Sequence, residues 1–161
     1  MEWQDDALVL RSRAQGENNT VTKLFTRTKG AVSAVVHGGQ GSRKGPLLQS
    51  GNFIQVEWRA KREDDLGRFE IELHTPHAAS ALSSRIGILG LNSMIELMDR
   101  TLPDQQPYEA LFEATDAVLA HAAEPEIFPI LLVKWEIGLL SALGYGLTLD
   151  RCAASGRLLE D

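Results

Sequence analysis

Hydrophobic and polar residues alternate along the first half of the chain. Residues 6–13 (DALVLRSR) put Leu8, Leu10 and Ser12 on one face of an extended segment and Val9, Arg11 and Arg13 on the other, which turns both arginines outward. Residues 14–19 (AQGENN) have turn chemistry. Residues 21–27 and 31–37 read as a hairpin joined at Thr28-Lys29-Gly30, where the glycine supplies the positive φ of a tight turn. Alternation returns in 53–59 (FIQVEWR) and in 68–74 (RFEIELH), where Phe69, Ile71 and Leu73 share a face; the charged stretch 60–67 joins them. Residues 46–49 predict one helical turn. Five short strands in about 75 residues predict a small closed or nearly closed sheet.

The period lengthens after Pro76. Leu82, Ile86, Leu89, Met94, Ile95, Leu97 and Met98 fit one or two helices, broken or bent near residues 87–92. A further helix lies between Pro107 and Glu124, with Tyr108, Leu111, Phe112, Thr115, Val118, Leu119 and Ala122 three and four apart. Another follows Pro125 and Pro129 and runs towards Leu143; being apolar on nearly every side, it is expected to be the central buried helix. Gly144-Tyr145-Gly146 stops it. The chain therefore divides as an α+β protein, with a β unit over 1–77 and a helical unit over 78–161 whose last dozen residues open a new element. The short connection argues that the units pack together.

Composition refines this picture. The 161 residues are 43% apolar, enough for a buried core, and the single Cys152 rules out an internal disulfide and a multi-cysteine zinc site. The start of the chain is acidic, and no run of about 18 uninterrupted apolar residues occurs, so the cytoplasm is the expected location. The net charge of −6 is unevenly placed. Residues 1–78 hold 11 Lys and Arg against 10 Asp and Glu, whereas 79–161 hold 5 against 12. Between positions 11 and 44, seven cations face only Glu17. That asymmetry suggests one surface for a polyanion and another for a different partner.

The basic residues of the β unit are the leading candidates for chemistry. On a five-stranded barrel they fall on the first three strands, the hairpin turn and the loops, where cations track a phosphate backbone without reading its sequence. Lys61 and Arg62 lie in the loop between strands four and five, which oligonucleotide-binding barrels use together with the face of strands two and three. The alternative is that exposed strands carry Lys and Arg for solubility and edge protection. Phe25, Phe53, Trp58 and Phe69 could stack on bases but are more simply barrel core; Phe25, sharing its face with Lys23 and Arg27, is the best exception. Residues 38–45 contain four glycines with Arg43 and Lys44 and read as a mobile basic loop. They do not form a P-loop, because Lys44 precedes Gly45 and Pro46 follows. His74 and His77 lack metal-ligand spacing and read as a solvated strand end. Glu70 and Glu72 point outward with no catalytic partner order, so an enzyme is not supported. In the helical unit, apolar residues near Arg85, Arg100 and Lys134 could form a peptide groove or simply be core.

Three stretches, WQDDALVLRSRAQGE, LFTRTKGAVSAVVHGGQGSRKG and most specifically WEIGLLSALGYGLTLDRCAASG, resemble the RecO family of bacterial recombination mediators. The resemblance implies an N-terminal OB-fold β-barrel followed by an all-α helical domain, and a further C-terminal region, of which this chain would be missing most. It implies a DNA repair function for a nucleoid-associated protein: binding single- and double-stranded DNA, annealing complementary strands, and acting with RecR to load RecA onto DNA coated by single-strand-binding protein. No cofactor is implied. Some relatives carry a cysteine-rich zinc motif where this chain has Cys152 and Ser155, so a thiolate zinc site is not expected here. On this reading Arg11, Arg13, Lys23, Arg27, Lys29, Arg43, Lys44, Lys61 and Arg62 neutralise phosphates, while Arg100 and Lys134 are candidates for contact with the acidic tail of single-strand-binding protein. A protein-interaction adaptor, whose barrel docks an acidic protein tail and binds no DNA, is the alternative. A hydrolase built around the histidines is a more remote third reading.

Overall fold

The computed structural model describes residues 1–62, 65–152 and 154–158. Five strands, β1 (Glu2–Gln15), β2 (Asn19–Thr26), β3 (Gly30–Val36), β4 (Phe53–Arg59) and β5 (Arg68–Thr75), form a closed barrel in the order β1-β2-β3-β5-β4. All contacts between neighbouring strands are antiparallel except a single parallel pairing, Val35 with Arg68, between β3 and β5. This is the five-stranded OB architecture. Inside lie Ala7, Val9, Leu24, Ala34, Val36, Ile54, Val56, Trp58, Phe69 and Ile71, with Leu48 of a 3-10 turn at Gly45–Leu48 packed among them. Trp3 stacks on Trp58 with ring centroids 5.7 Å apart.

Strand β1 departs from simple alternation. A bulge between Val9 and Arg11 shifts its register against β2, so Val9 points into the barrel while both Leu8 and Leu10 are buried under the helices. Val9 therefore does not share the outward face of Arg11 and Arg13. The extra residue re-aims the strand's second half, and the pattern of the sequence alone carried no sign of it.

Four helices follow: α1 (His77–Ala81), α2 (Arg85–Thr101), α3 (Glu109–Leu119) and α4 (Phe128–Ala142). The break falls at residues 82–84, where Ser84 caps α2 by accepting the Gly87 amide, and α2 runs unbroken through the expected bend at 87–92. Gly87 and Gly90 lie there for closeness: a Cβ would meet the Ala122 carbonyl at one and the Phe128 ring at the other. The hydrophobic core does not divide where strands give way to helices. Leu8, Leu10, Phe25 and Phe53 of the barrel's outer face form one buried cluster with Met94, Met98, Phe112, Phe128 and Trp135. Phe112 meets Phe25 and Phe53 edge-on at 5.6 and 5.3 Å.

Helix α4 is not the central helix its composition suggests. Phe128, Trp135 and Leu139 are buried against α2 and α3, and Trp135 Nε1 donates to the buried Thr115 Oγ1 at 2.8 Å. Ile130, Val133 and Leu140, on the opposite side, are exposed. Only one of its faces meets other helices. The apolar content of α4 thus exceeds what these neighbours cover.

The segment between α2 and α3 also holds the hairpin. Gln105 N donates to Ala31 O at 2.9 Å, and Asp104 forms a parallel bridge with Ala31. Gly30 sits at φ +73°, and a Cβ there would overlap the Gln106 backbone. Gly30→Ala is expected to lower stability by about 1–3 kcal/mol through this overlap, with added backbone strain. Gly16→Ala, at a similar φ but in open space, isolates the strain alone. Thermal unfolding of both should show the larger loss at Gly30; equal losses would mean the segment yields without cost.

Candidate nucleic-acid interface

The predicted cations divide by what they touch. The face of β2 that carries Lys23, Phe25 and Arg27 lies under the helices. Lys23 Nζ is 3.1 Å from Asp99 Oδ1 and donates to the Asp99 carbonyl at 2.9 Å, with both side chains only 14% and 13% exposed. Asp99 Oδ1 is buried without a hydrogen bond, so the nearby ammonium meets its charge. Asp99 Oδ2 is 3.2 Å from Arg11. Arg27 donates to Glu113 at 2.9 Å, lies 3.7 Å from Asp6, and places its guanidinium 5.2 Å from the centre of the Phe112 ring. Phe25, the best candidate for base stacking, is fully buried beneath Phe112. Phe53, Trp58 and Phe69 are buried as well, so none of the four aromatics singled out in the sequence offers a stacking surface, and the half-buried Trp3 of β1 is stacked on Trp58.

A second group stays open. The register aligns Arg13 with Val21, Val21 with Val35, and Val35 with Arg68, an outward row across four strands. Neighbouring Thr20, Thr22, Ala34 and Val36 point inward, while Arg13 and Arg68 are exposed and Val21 and Val35 half-buried between them. Three strand spacings separate the two arginines, about 14 Å. The loop with Lys61 and Arg62, both exposed, joins β4 to β5 at the same end, beside the Arg59–Arg68 pair of the ladder. Among the described residues, Arg13, Arg68, Lys61, Arg62, Lys29 and Arg43 have no ion-pair partner. Sequence reasoning missed Arg68; the signal was its place as the first residue of an alternating strand, but its neighbours depend on the β3–β5 pairing. Arg59, by contrast, is held by Glu57 and Glu2.

Several expectations change at the periphery. His77 is buried, donating from Nε2 to Asp116 Oδ1 at 2.7 Å and packing edge-on against Phe53 at 5.2 Å, so it is a structural link and not a solvated strand end. His74 is exposed. Arg100 pairs with Glu96 one turn earlier on α2, and Lys134 is exposed on α4. Hydrogen bonds from Ser155 and the Ala154 amide pull the exposed Cys152 thiol below its ordinary pKa. Among the described residues no group of three His, Cys, Asp or Glu is placed to hold a metal ion. No helix among them is long and apolar enough to cross a membrane.

The glycine-rich loop is anchored where mobility was expected. Gln40 Nε2 donates to the Gly16 and Asn19 carbonyls at 3.0 and 2.8 Å, tying the loop to the β1–β2 turn. Lys44 Nζ donates to Glu70 Oε2 at 2.8 Å, and this bond holds the Glu70 carboxyl below its usual pKa. Because the folded pKa is depressed, the clip contributes at neutral pH and is lost as pH falls through the lowered value. Amide protection factors at Gly41 and Gly45 should fall at acid pH, and in Glu70→Gln they should be low already at neutral pH. Unchanged protection in that variant would show that Gln40 alone holds the loop.

Comparison with known proteins gives a consistent result along the chain. The family described as "Recombination protein O N terminal" matches residues 1–76, and "Recombination protein O C terminal" matches 82–161. Proteins named DNA repair protein RecO from Methylorubrum populi and Rhodospirillum centenum are 40% and 41% identical over 156 residues, 97% of this chain. One from Roseobacter denitrificans is 34% identical over 157 residues, 98% of the chain. The chain spans 62–65% of the length of these relatives. With the five-stranded barrel falling within the first matched segment and helices α2 to α4 within the second, the chain belongs to the RecO family.

Proposed function

We propose that this chain is the DNA-binding part of a recombination mediator in DNA repair, and that it takes up single strands on the open end of its barrel. The observation that carries this reading is the row Arg13–Val21–Val35–Arg68, with Lys61 and Arg62 beside it. OB barrels bind oligonucleotides on the face of strands two and three and through the loops joining strands one to two and four to five. Cations there supply a sequence-independent phosphate grip, and the half-buried valines offer an apolar floor between them.

The buried aromatics favour strand annealing in particular. Where bases stack on a protein, each stack is worth about 1–3 kcal/mol and must be broken before that base can pair. A barrel that holds phosphates without stacking leaves the base edges free for a complementary strand and screens the repulsion between the two backbones. The same grip would serve double-stranded DNA. In this role the chain would act with RecR to place RecA on DNA covered by single-strand-binding protein, whose acidic tail would dock on the helices, with Arg100 and Lys134 as its cationic contacts. The named relatives, all called DNA repair protein RecO, support the general role. No catalytic step is part of this proposal.

Fluorescence anisotropy with a labelled mixed-sequence single strand at several salt concentrations tests it. Arg13→Glu and Arg68→Glu should each weaken binding to unrelated sequences alike and flatten the log–log salt slope by about 0.7. The same variants should slow annealing of two complementary oligonucleotides. No binding by the parent chain at low salt would overturn the DNA reading and leave the barrel as a docking site for an acidic protein tail.

A further inference from the structure

Three cations of the β1–β2 face already hold carboxylates from the helices, and Arg27 also lies 3.7 Å from Asp6 of β1. Arg11 and Lys23 meet Asp99 at the end of α2, and Arg27 meets Glu113 of α3. The pairs differ in how firmly they are closed in. Lys23 and Asp99 are almost enclosed, so that pair is structural. Arg27 is 34% and Glu113 59% exposed, and the Nη1 that donates to Glu113 is a donor that a phosphate oxygen could take equally well. The Phe112 ring, 5.2 Å from the guanidinium carbon, gives Arg27 a contact that does not depend on which anion is bound at its edge. The buried aromatic cluster beneath keeps α3 in place, so the exchange needs only side-chain rotation.

We propose that Glu113 is a built-in competitor for DNA phosphate at Arg27, holding this part of the barrel face self-screened until a nucleic-acid strand displaces it. This rests on the DNA-binding reading above and adds its regulation. Arg27, just past the end of β2, is six residues from Val21, about 20 Å from the Arg13 row, with Lys23 and Phe25 covered by the helices in between. With Glu113 displaced, Arg27 keeps only the longer 3.7 Å contact to Asp6 and can hold a phosphate beside Lys29 of the hairpin turn. Charge on Glu113 thus sets whether the nucleic acid is held at the barrel end alone or at this second point as well.

The test compares the parent chain with Glu113→Gln and with Glu109→Gln. Glu109 is exposed one turn earlier on α3 and pairs with no cation among the described residues, so its variant changes net charge equally without freeing Arg27. Both sites are on the surface, which keeps the fold intact. In the anisotropy titration, Glu113→Gln should bind a mixed-sequence single strand about two- to fivefold more tightly at low salt, the range of an exposed ion pair. Its salt slope should steepen by about 0.7, one further phosphate. Glu109→Gln should leave the slope unchanged, and Arg27→Gln placed in the Glu113→Gln background should return it to the parent value. A parent-like slope in Glu113→Gln, or equal behaviour of the two glutamine variants, overturns the competitor role while the DNA-binding reading stands. No binding by the parent chain overturns both readings.

Discussion

Burial of the barrel's outer face beneath the helices is the constraint on which the remaining structure depends. Phe25 and Phe53 turn away from the barrel interior, which Trp58 and Phe69 help to fill, and would be two large exposed rings if nothing covered them. Phe112 covers both, in edge-on contacts that add to the area it buries. The placement of α3 follows from that contact. Arg27 is drawn over the same ring, Glu113 is brought to Arg27, and the end of α2 brings Asp99 to Arg11 and Lys23. Apolar packing sets the geometry and the ion pairs sharpen it. A barrel and a set of helices that look like separate units in sequence therefore share a core.

The same constraint divides the charge. A cation on a covered face meets a carboxylate, since an enclosed charge without a partner is costly. Beyond the edge of the covering helices burial imposes no such demand: Lys44 and Arg59 are paired, whereas Arg13 and Arg68 have no ion-pair partner among the described residues. Basic residues that form one group in sequence, from Arg11 to Lys44, thus have two roles, and the boundary between them runs between neighbouring rows of the sheet. Arg11 aligns with Lys23 under the helices, and two residues on, Arg13 aligns with Val21 in the open.

Much of this fold was legible in the alternation of polar and apolar residues. The strand over 53–59 is found where its period put it, the hairpin turns at Gly30 with the positive φ expected, and Tyr108 to Ala122 bracket α3. Local pattern reports a residue's own element well. It reports poorly what covers that element. Lys23, Phe25 and Arg27 do share a face, but only the tertiary contact shows that helices occupy it. The bulge at Val9 to Arg11 has no signature in composition, and the anchored loop depends on Gln40 reaching a turn over twenty residues earlier. Helix α4 failed in the opposite sense, because an all-round apolar sequence states how much could be buried and not how much is.

The bridge from Asp104 and Gln105 to Ala31 has a consequence for association with other molecules. β3 and β5 are joined at only one ladder position, Val35 with Arg68, which leaves the start of β3 without a strand neighbour on that side. Unpaired strand backbone of this kind is a template for another chain to add to. The α2–α3 segment fills the gap with its own backbone, donating from Gln105 to Ala31, so the barrel's seam is sealed from within the same chain. The helices thereby guard the barrel against intermolecular strand pairing.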